Sequence, residues 1–262
     1  MTKNTPAPAV EISGLPVMET TLLRGRVKLL QPKTGFHASM DTVFLAAAVA
    51  VKDRWQVLDA GCGVGSAGLC VTSRNSNIHL TGLDIQRELV DIALQNAALN
   101  GLSDRTRFFQ GAIPTEKTIE TNYFNSVFSN PPYQEGGTHL ASPDSIKAMS
   151  HGEEVSDITL EKWCKYLHSK LKNGGYLTMI HRADRLDDLL MALGRKRWFG
   201  SFVVYPLYPH AGENARRVIV QARKERYAPL KLKSGMILHT AQGKYTQEAE
   251  AILSHGAAID MS

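Results

Sequence analysis

The sequence predicts an α/β fold in which a mostly parallel sheet carries helices on both faces, and three observations support this class. Short apolar segments alternate with amphipathic helical segments between residues 55 and 193. A glycine-rich turn, residues 61–65, follows the first of these apolar segments. Two β-rich segments, 201–208 and 217–222, end the pattern and predict an antiparallel hairpin at one side of the sheet.

Each element of the pattern has its own signal. Compact apolar segments mark the strands, and apolar residues at a 3.6-residue period mark the helices. Strands are predicted at 55–59, 78–84, 105–109, 125–129 and 176–181. Helices are predicted at 41–51, 66–73, 87–100, 160–171 and 185–193. Ser39 is the expected N-terminal cap of the first helix.

Length and composition restrict the class of protein. The chain has 262 residues, enough for one α/β domain with short appendages. We expect a flexible N-terminal tail at 1–16, a main domain at 17–230 and a C-terminal extension at 231–262. The longest purely apolar run, Val43 to Val51, has nine residues. A membrane-spanning helix needs ~20, so no membrane segment is predicted.

The cysteines indicate a reducing, cytoplasmic environment. Cys62, Cys70 and Cys164 are odd in number and form no C-x-x-C pair. Neither a disulfide framework nor a zinc site is therefore predicted. The histidines show no ligand spacing either, so we expect no metal.

The glycine-rich turn predicts a site for a nucleotide-type cofactor. Asp59 ends the first strand of the alternating pattern, and Gly61, Gly63 and Gly65 follow at every second position. Glycines at this spacing let the chain turn sharply and let a ligand approach the backbone. Asp84 ends the next strand, where an acceptor-only carboxylate can bind both hydroxyls of a ribose.

Two cofactors have to be considered for such a turn. Residues 63–68 satisfy the pattern G-x-G-x-x-G, which admits a nicotinamide dinucleotide and hence an NAD-dependent oxidoreductase. The carboxylate of Asp59 suits a pyrophosphate poorly and suits a cationic or ammonium-bearing ligand well. S-adenosylmethionine fits both Asp59 and the amine-binding motif that follows in the chain.

That motif is the tetrapeptide Asn130-Pro131-Pro132-Tyr133, which suits a planar amino nitrogen. The Asn130 side-chain oxygen and the Pro131 carbonyl can each accept one N–H, and Tyr133 offers a flat face for stacking. The two prolines make the loop rigid. An exocyclic amine on a base has the shape that this motif requires. The polar segment 134–156 is predicted to be either a lid over the target base or a disordered insertion.

These motifs resemble those of the class I S-adenosylmethionine-dependent methyltransferases, with VLDAGCGVG at 57–65, GLDIQ at 82–86 and SNPPY at 129–133. More narrowly, the segments 31–50, 180–186 and 215–224 resemble the tRNA adenine-N6 methyltransferases that modify the base beside the anticodon of a valine tRNA. The resemblance implies a Rossmann-like fold with a seven-stranded, mostly parallel sheet and an antiparallel edge hairpin.

The resemblance also implies a set of cofactor-binding residues: Asp59, Gly61, Gly63, Asp84, Ile85, Ala112 and Asp41. The first three would surround the methionine part of S-adenosylmethionine, Asp84 the ribose, and Ile85 one face of the adenine. The Ala112 backbone would contact the adenine, because many relatives have an aspartate in this segment and the present chain does not. Asp41 would close the pocket from the N-terminal side.

Basic residues concentrate in the C-terminal half. Residues 182–233 contain twelve Lys/Arg and five Asp/Glu, although the whole chain has a formal net charge of only +5. Such an excess favours a polyanion, although a solvated surface also explains it. The residues predicted to bind an RNA backbone are Arg195, Lys196, Arg197, Arg216, Arg217 and Lys224.

Together these observations predict an S-adenosylmethionine-dependent N-methyltransferase that acts on an exocyclic amine. The narrower resemblance implies adenine N6 in tRNA, next to the anticodon. A protein glutamine-amide N5 methyltransferase fits the same tetrapeptide, as does an adenine-N6 methyltransferase that acts on DNA or rRNA. The sequence does not determine the oligomeric state.

Overall fold

The structure, a computed structural model, describes residues 10–35, 37–131 and 159–262. Pro132, Tyr133 and the polar segment 134–156 of the sequence predictions therefore lie outside the described residues. In the three described ranges, no helix is both long enough and apolar enough to cross a membrane.

The described chain begins with a small antiparallel sheet of three strands in the order β1-β2-β3. These are β1 (Glu11–Ile12), β2 (Leu15–Leu22) and β3 (Val27–Pro32). The first strand and the start of the second fall within residues 10–16, part of the segment expected to be a flexible tail. The sequence did not predict this sheet, because β2 buries only Val17 completely and shows no apolar alternation.

The predicted alternation of strands and helices is confirmed. Helix α1 (Met40–Ala48) begins directly after Ser39, as predicted, and all its residues from Thr42 onward are buried. The elements that follow are β4 (Gln56–Ala60), α2 (Ser66–Arg74), β5 (His79–Asp84), α3 (Arg87–Leu99), β6 (Thr106–Gln110), β7 (Phe124–Ser129), α4 (Leu160–Lys170), β8 (Leu171–Arg182) and α5 (Leu186–Gly194). All pairings among β4 to β8 are parallel.

The C-terminal part adds the predicted antiparallel strands β9 (Phe199–Tyr208) and β10 (Arg217–Lys224). Two short strands, β11 (Lys231–Leu232) and β12 (Met236–Ile237), then pair with β9 in parallel. The order of the main sheet is β11-β9-β10-β8-β7-β4-β5-β6, with β12 also on β9. The predicted count of seven strands was therefore too low, because two-residue strands leave no pattern in a sequence.

Two apolar clusters pack on opposite faces of the main sheet. Val57 and Leu58, successive and fully buried residues of β4, belong to different clusters, as expected for side chains that alternate along a strand. Helices α1, α2 and α3 cover one face, and α4 and α5 cover the other. Helix α6 (Gln247–His255) joins the first face through Ala249 and Ile252.

Strand direction gives the main sheet two distinct ends. Parallel strands β4 to β8 all finish at one of them, which we call the carboxyl end, and start at the other, the amino end. Strand β10 runs the opposite way, since its first residue, Arg217, pairs with Arg182 at the finish of β8. Its last residues, Arg223 and Lys224, therefore lie at the amino end. Strand β9 runs with β8 and finishes at the carboxyl end.

Candidate functional site

The glycine loop follows β4 at the carboxyl end of the sheet. The backbone N–H groups of Gly61 and Cys62 donate to the Leu83 carbonyl at 2.8 and 3.0 Å, which fixes the loop against β5. Gly61 and Gly63 have φ angles of 80° and 53°, in the left-handed region that favours glycine. A Cβ added to Gly63 would meet no atom within 4 Å, so the loop backbone borders open space there.

Asp84, the last residue of β5, is bonded to the same loop. Its Oδ2 accepts the Gly63 N–H at 2.8 Å, and its Oδ1 accepts the Gln86 N–H at 3.0 Å. Burial raises the pKa of Asp84, and these backbone donors act against that rise. Each carboxylate oxygen has a further lone pair that can accept from a hydroxyl. Beside it, Ile85 leaves 42% of its surface exposed, an apolar area next to the carboxylate.

Asp59 lies beneath the loop and is only 2% exposed. Its Oδ2 accepts the N–H of Gly68, in the first turn of α2, at 3.1 Å. A Cβ on Gly68 would lie 2.5 Å from Leu80 Cδ2, so only glycine brings the helix this close to β4 and β5. Burial, together with the charge of Asp84, raises the pKa of Asp59 to about 8. Two buried carboxyl groups this close favour a ligand that carries positive charge.

The segment after β6 lies against Asp84 and Ile85. Gly111 donates its N–H to the Asp84 carbonyl at 2.8 Å, and Gln110 Nε2 donates to the Ile85 carbonyl at 3.2 Å. Ala112 follows directly and is half-buried. The structure thus brings Asp84, Ile85 and Ala112 together at one corner of the carboxyl end.

Asn130 and Pro131 follow β7, the strand adjacent to β4. The last register pair joins Asp59 of β4 to Phe128 of β7, two residues before Gly61 and Asn130 respectively. Asn130 is half-buried and Pro131 is buried. Asn130, Pro131 and the glycine loop therefore continue two paired strands at the carboxyl end of the sheet.

Ser129 and Trp163 connect the finish of β7 to the finish of β4, a role that no local pattern predicts. Ser129 Oγ donates to the Ala60 carbonyl at 2.6 Å and accepts the Trp163 Nε1–H at 3.1 Å. The Trp163 ring also covers Gly61, where an added Cβ would lie 3.4 Å from Cζ2. Trp163, on α4, thus contacts both the glycine loop and the strand that leads to Asn130.

Asp41 lies in the first turn of α1 and forms an ion pair with Arg217, with Oδ2 and Nε 2.7 Å apart. Arg217 starts β10, so this pair belongs to the carboxyl end of the sheet. The sequence assigned Asp41 to the cofactor and Arg217 to RNA, whereas the structure joins them directly.

The basic residues predicted to bind RNA do not form one surface. Arg216 and Arg217 lie at the carboxyl end, whereas Lys224 lies seven residues further along β10. At ~3.3 Å per residue, that separation is about 23 Å. Arg195 to Arg197 precede β9 and also lie at the amino end. The predicted RNA-binding residues are therefore divided between the two ends of the sheet, because the antiparallel course of β10 separates residues that are close in the sequence.

The prediction that Lys224 binds RNA requires a correction. It is 4% exposed, and its ammonium donates to Asn122 Oδ1 at 2.7 Å and to the carbonyls of His168 and Leu171 at 3.0 and 2.9 Å. A buried ammonium with three acceptors stabilises the fold and cannot bind RNA. Sequence alone does not distinguish a core lysine from a surface one.

Asn96 on α3 is a second residue whose importance the sequence did not reveal. Its side chain is fully buried, and Nδ2 donates to the carbonyls of Leu30 in β3 and Val64 in the glycine loop, both at 2.9 Å. Its Oδ1 accepts the Leu30 N–H at 2.6 Å. The Asn96 amide thus links the N-terminal sheet to the glycine loop.

Comparison with known protein families identifies the family to which this chain belongs. A family model described as the methyltransferase small domain matches residues 37–184, which include the glycine loop, Asp84 and the Asn-Pro-Pro-Tyr motif. The chain belongs to this methyltransferase family.

Curated relatives of this methyltransferase include two groups. A tRNA1(Val) (adenine(37)-N6)-methyltransferase of Porphyromonas gingivalis is 28% identical over 197 residues, which cover 73% of this chain and 75% of the relative. One of Shewanella putrefaciens is 24% identical over 218 residues, covering 81% and 88%. A release factor glutamine methyltransferase of Aliivibrio fischeri is 28% identical over 152 residues, covering 51% and 48%.

Solved structures agree on the fold. A protein described as a predicted O-methyltransferase from Agrobacterium tumefaciens has a TM-score of 0.69 at 23% identity and covers 84% of this methyltransferase and 98% of its own chain. A precorrin-6y C5,15-methyltransferase from Geobacter metallireducens has a TM-score of 0.52 at 11% identity, covering 76% and 94%.

These comparisons confirm a class I, S-adenosylmethionine-dependent methyltransferase. The residues present fit this cofactor. Asp59 and Asp84 would offer carboxyl groups to a cationic ligand that carries a ribose, and the Gly63 backbone borders open space. When bound, S-adenosylmethionine supplies an electrophilic methyl group on a sulfonium.

Proposed function

We propose that this methyltransferase methylates adenine N6 in a tRNA, at the base next to the anticodon. The observation that carries the proposal is that Asn130 and Pro131 directly follow β7, whose paired neighbour β4 leads into the glycine loop. The Asn130 side-chain oxygen and the Pro131 carbonyl are two acceptors that match the two N–H groups of a planar amine. In the sequence, Tyr133 follows at the spacing that suits stacking on the same base.

The chemistry of an adenine amine explains why two acceptors are useful. Its nitrogen lone pair is delocalised into the ring, so nucleophilic attack requires that the amine be held with the lone pair facing the methyl group. Acceptors on both N–H groups favour that orientation, and the adjacent prolines restrict the loop that carries them. Catalysis would then depend on positioning, and neither a nucleophilic side chain nor a metal would be required.

The lengths of the matches favour tRNA over a protein amide. The matches to the two tRNA enzymes extend over 197 and 218 residues, more than the family range 37–184 contains. The similarity therefore continues outside the shared domain. The match to the release factor enzyme, 152 residues, is about as long as that range.

Methylation of a glutamine amide is the second candidate, because this side chain offers Asn130 the same planar NH2.

A tRNA substrate also fits the cytoplasmic location predicted from the cysteines, all three of which are buried and free of disulfides.

The test is methyl transfer from labelled S-adenosylmethionine to unmodified tRNA, rRNA, DNA and a release factor, followed by mass spectrometry of the digested products. We expect N6-methyladenosine in tRNA. Methylation of glutamine alone would contradict the proposed substrate and support the second candidate.

Two asparagines near opposite ends of β7 test the role of the motif. Asn130→Ala should lower kcat by roughly 100-fold or more, as expected for a lost transition-state contact, while cofactor binding persists. Asn125, at the other end of β7, accepts the Gln56 N–H at 3.0 Å and lies far from the carboxyl end. Asn125→Ala is therefore the matched control and should retain turnover. Wild-type turnover in Asn130→Ala would refute the amine-binding role.

A further inference from the structure

Three aromatic rings form a row at the carboxyl end of the sheet, and two of them belong to the C-terminal extension. His210, in the loop after β9, lies 5.5 Å from His239 between ring centroids, with an interplanar angle of 36°. His239 lies 4.9 Å from Tyr245 at 27°, a stacked arrangement. We call His210, His239 and Tyr245 the stacking row.

Backbone hydrogen bonds hold the stacking row at the carboxyl end of the sheet, the end at which Asn130 also lies. The N–H groups of Leu238 and His239 donate to the carbonyls of Tyr208 and Pro209 at 2.8 and 3.0 Å, just past the finish of β9. His239 and Tyr245 face each other across an antiparallel bridge. Since β9 finishes at the carboxyl end, the row lies there as well.

Tyr245 also reaches the start of α1, where its hydroxyl donates to Met40 Sδ at 2.8 Å. Met40 precedes Asp41, whose ion pair with Arg217 belongs to the carboxyl end. The row is thus next to elements that border the site described above.

The exposure and charge of the row fit a nucleic acid. Tyr245 leaves 38% of its surface exposed, so part of its ring is open to a further stacking partner. Arg216 and Lys244 are exposed nearby and form no ion pair with any carboxylate that the structure describes. Glu213 binds His210 at 3.2 Å and holds that ring in place. Stacked aromatic rings with cations beside them are the components of surfaces that bind single-stranded nucleic acids.

We propose that the stacking row binds an unpaired base of the RNA substrate that neighbours the methylated adenine. The inference rests on the proposed function, because it requires an RNA at Asn130. A base that enters a methyltransferase site must leave its stack, and its neighbours lose stacking energy at the same time. A base stacked on Tyr245 would extend the row by one ring and recover part of that energy, and Arg216 and Lys244 would lie near its phosphates.

Variants of two exposed tyrosines test the inference. Tyr245→Ala removes the outer ring of the row, and Tyr245→Phe keeps the ring without the hydroxyl. Tyr227 is 50% exposed, lies under the Arg197 guanidinium at 4.4 Å and belongs to the amino end, so Tyr227→Ala is the matched control. For each full-length variant, the measurements are KM and kcat with a tRNA anticodon stem-loop, the Kd for that RNA, and the Kd for S-adenosylmethionine.

Tyr245→Ala should raise the KM and the Kd for RNA about fivefold or more, the loss expected for one stacking contact, with the cofactor Kd unchanged. Tyr245→Phe should restore most of the affinity, and Tyr227→Ala should match the wild type. An unchanged RNA Kd in Tyr245→Ala, or an equal loss in Tyr227→Ala, would overturn the proposal.

Two further readouts keep the outcomes apart. If Tyr245→Ala does not fold, Arg216→Glu changes an exposed side chain of the same surface and should weaken RNA binding by a similar factor. Unchanged RNA affinity in Arg216→Glu would then overturn the proposal. A wild-type protein that binds the stem-loop through Tyr245 but methylates no RNA would contradict the proposed function and leave the binding surface supported.

Discussion

Asp59 Oδ2 accepts the Gly68 N–H at 3.1 Å, so the carboxylate at the finish of β4 is bonded to the first turn of α2 directly beneath the cofactor loop. Glycine at position 68 makes this contact possible, because a Cβ there would collide with Leu80. Burial raises the pKa of Asp59 to about 8, although the hydrogen bond from Gly68 acts to lower it. In the cofactor-free protein Asp59 is therefore largely protonated at neutral pH.

Asp59→Asn should remove a pH-dependent part of the stability of the cofactor-free protein. The folded pKa of about 8 exceeds the unfolded value of 3.8, so the contribution of Asp59 is complete below the unfolded value and is lost as the pH rises through 8. Each pH unit in that window changes the free energy of unfolding by up to about 1.4 kcal/mol. The melting temperature of the wild type should thus fall, relative to Asp59→Asn, as the pH is raised.

Asp53→Asn is the control for this measurement, because Asp53 is an exposed aspartate shortly before β4. Its melting curve should follow that of the wild type at every pH. Parallel pH profiles for the wild type and Asp59→Asn would show that Asp59 is already ionised in the folded protein.

Asp84→Ala should weaken cofactor binding by at least about tenfold, which is the loss expected for one charge-assisted hydrogen bond. The carboxylate orders the loop through Gly63 and Gln86, and it is the predicted acceptor for the ribose hydroxyls. Isothermal titration with S-adenosylmethionine measures the effect. Glu88→Ala, which changes an exposed carboxylate in the first turn of α3, should bind as the wild type does. Equal affinity in Asp84→Ala would remove Asp84 from the cofactor site.

Lys224→Met should lower the free energy of unfolding by about 3 kcal/mol, because a buried ammonium is lost and its three acceptors at Asn122, His168 and Leu171 lose their donor. Methionine keeps most of the aliphatic volume, so lost packing contributes little. Urea unfolding measures the change, and Lys196→Met, at an exposed position, should show none. RNA affinity should not respond to Lys224→Met, and a stable variant with weakened RNA binding would restore Lys224 to the RNA surface.

The parts of the fold that the sequence predicted depend on local patterns. The apolar segments of β4 to β8 and the helical periods between them are readable, because the central strands β4 and β7 are buried on both faces and are therefore mostly apolar. The glycine loop and Asp84 are readable for the same reason, because each directly follows or ends a recognisable strand. Their positions around the cofactor site followed from strand direction, since parallel strands finish at the same end.

The parts that the sequence did not predict depend on contacts between distant segments. The burial of Lys224 results from acceptors on α4 and on the segment before β7, which no local pattern reveals. The stacking row requires the C-terminal extension to pair with the finish of β9. The division of the basic residues between two ends follows from the antiparallel course of β10, although the prediction of that hairpin was correct.

Asn96 provides the last prediction, because a second asparagine one turn later supplies its control. Asn100 bonds to β3 much as Asn96 does: its Oδ1 accepts the Lys28 N–H at 2.9 Å, and its Nδ2 donates to the Lys28 carbonyl at 2.7 Å. Only Asn96 also donates to Val64 in the glycine loop. Both alanine variants should therefore be destabilised through loss of the β3 contacts, by about 1 to 3 kcal/mol each.

Cofactor affinity separates the two asparagines. Asn96→Ala should weaken S-adenosylmethionine binding several-fold, because the carbonyl of Val64 loses its buried donor and the loop between Gly63 and Gly65 is less well ordered before binding. Asn100→Ala should bind the cofactor as the wild type does. An equal loss in both variants would mean that the N-terminal sheet, rather than the Asn96 to Val64 hydrogen bond, supports the loop.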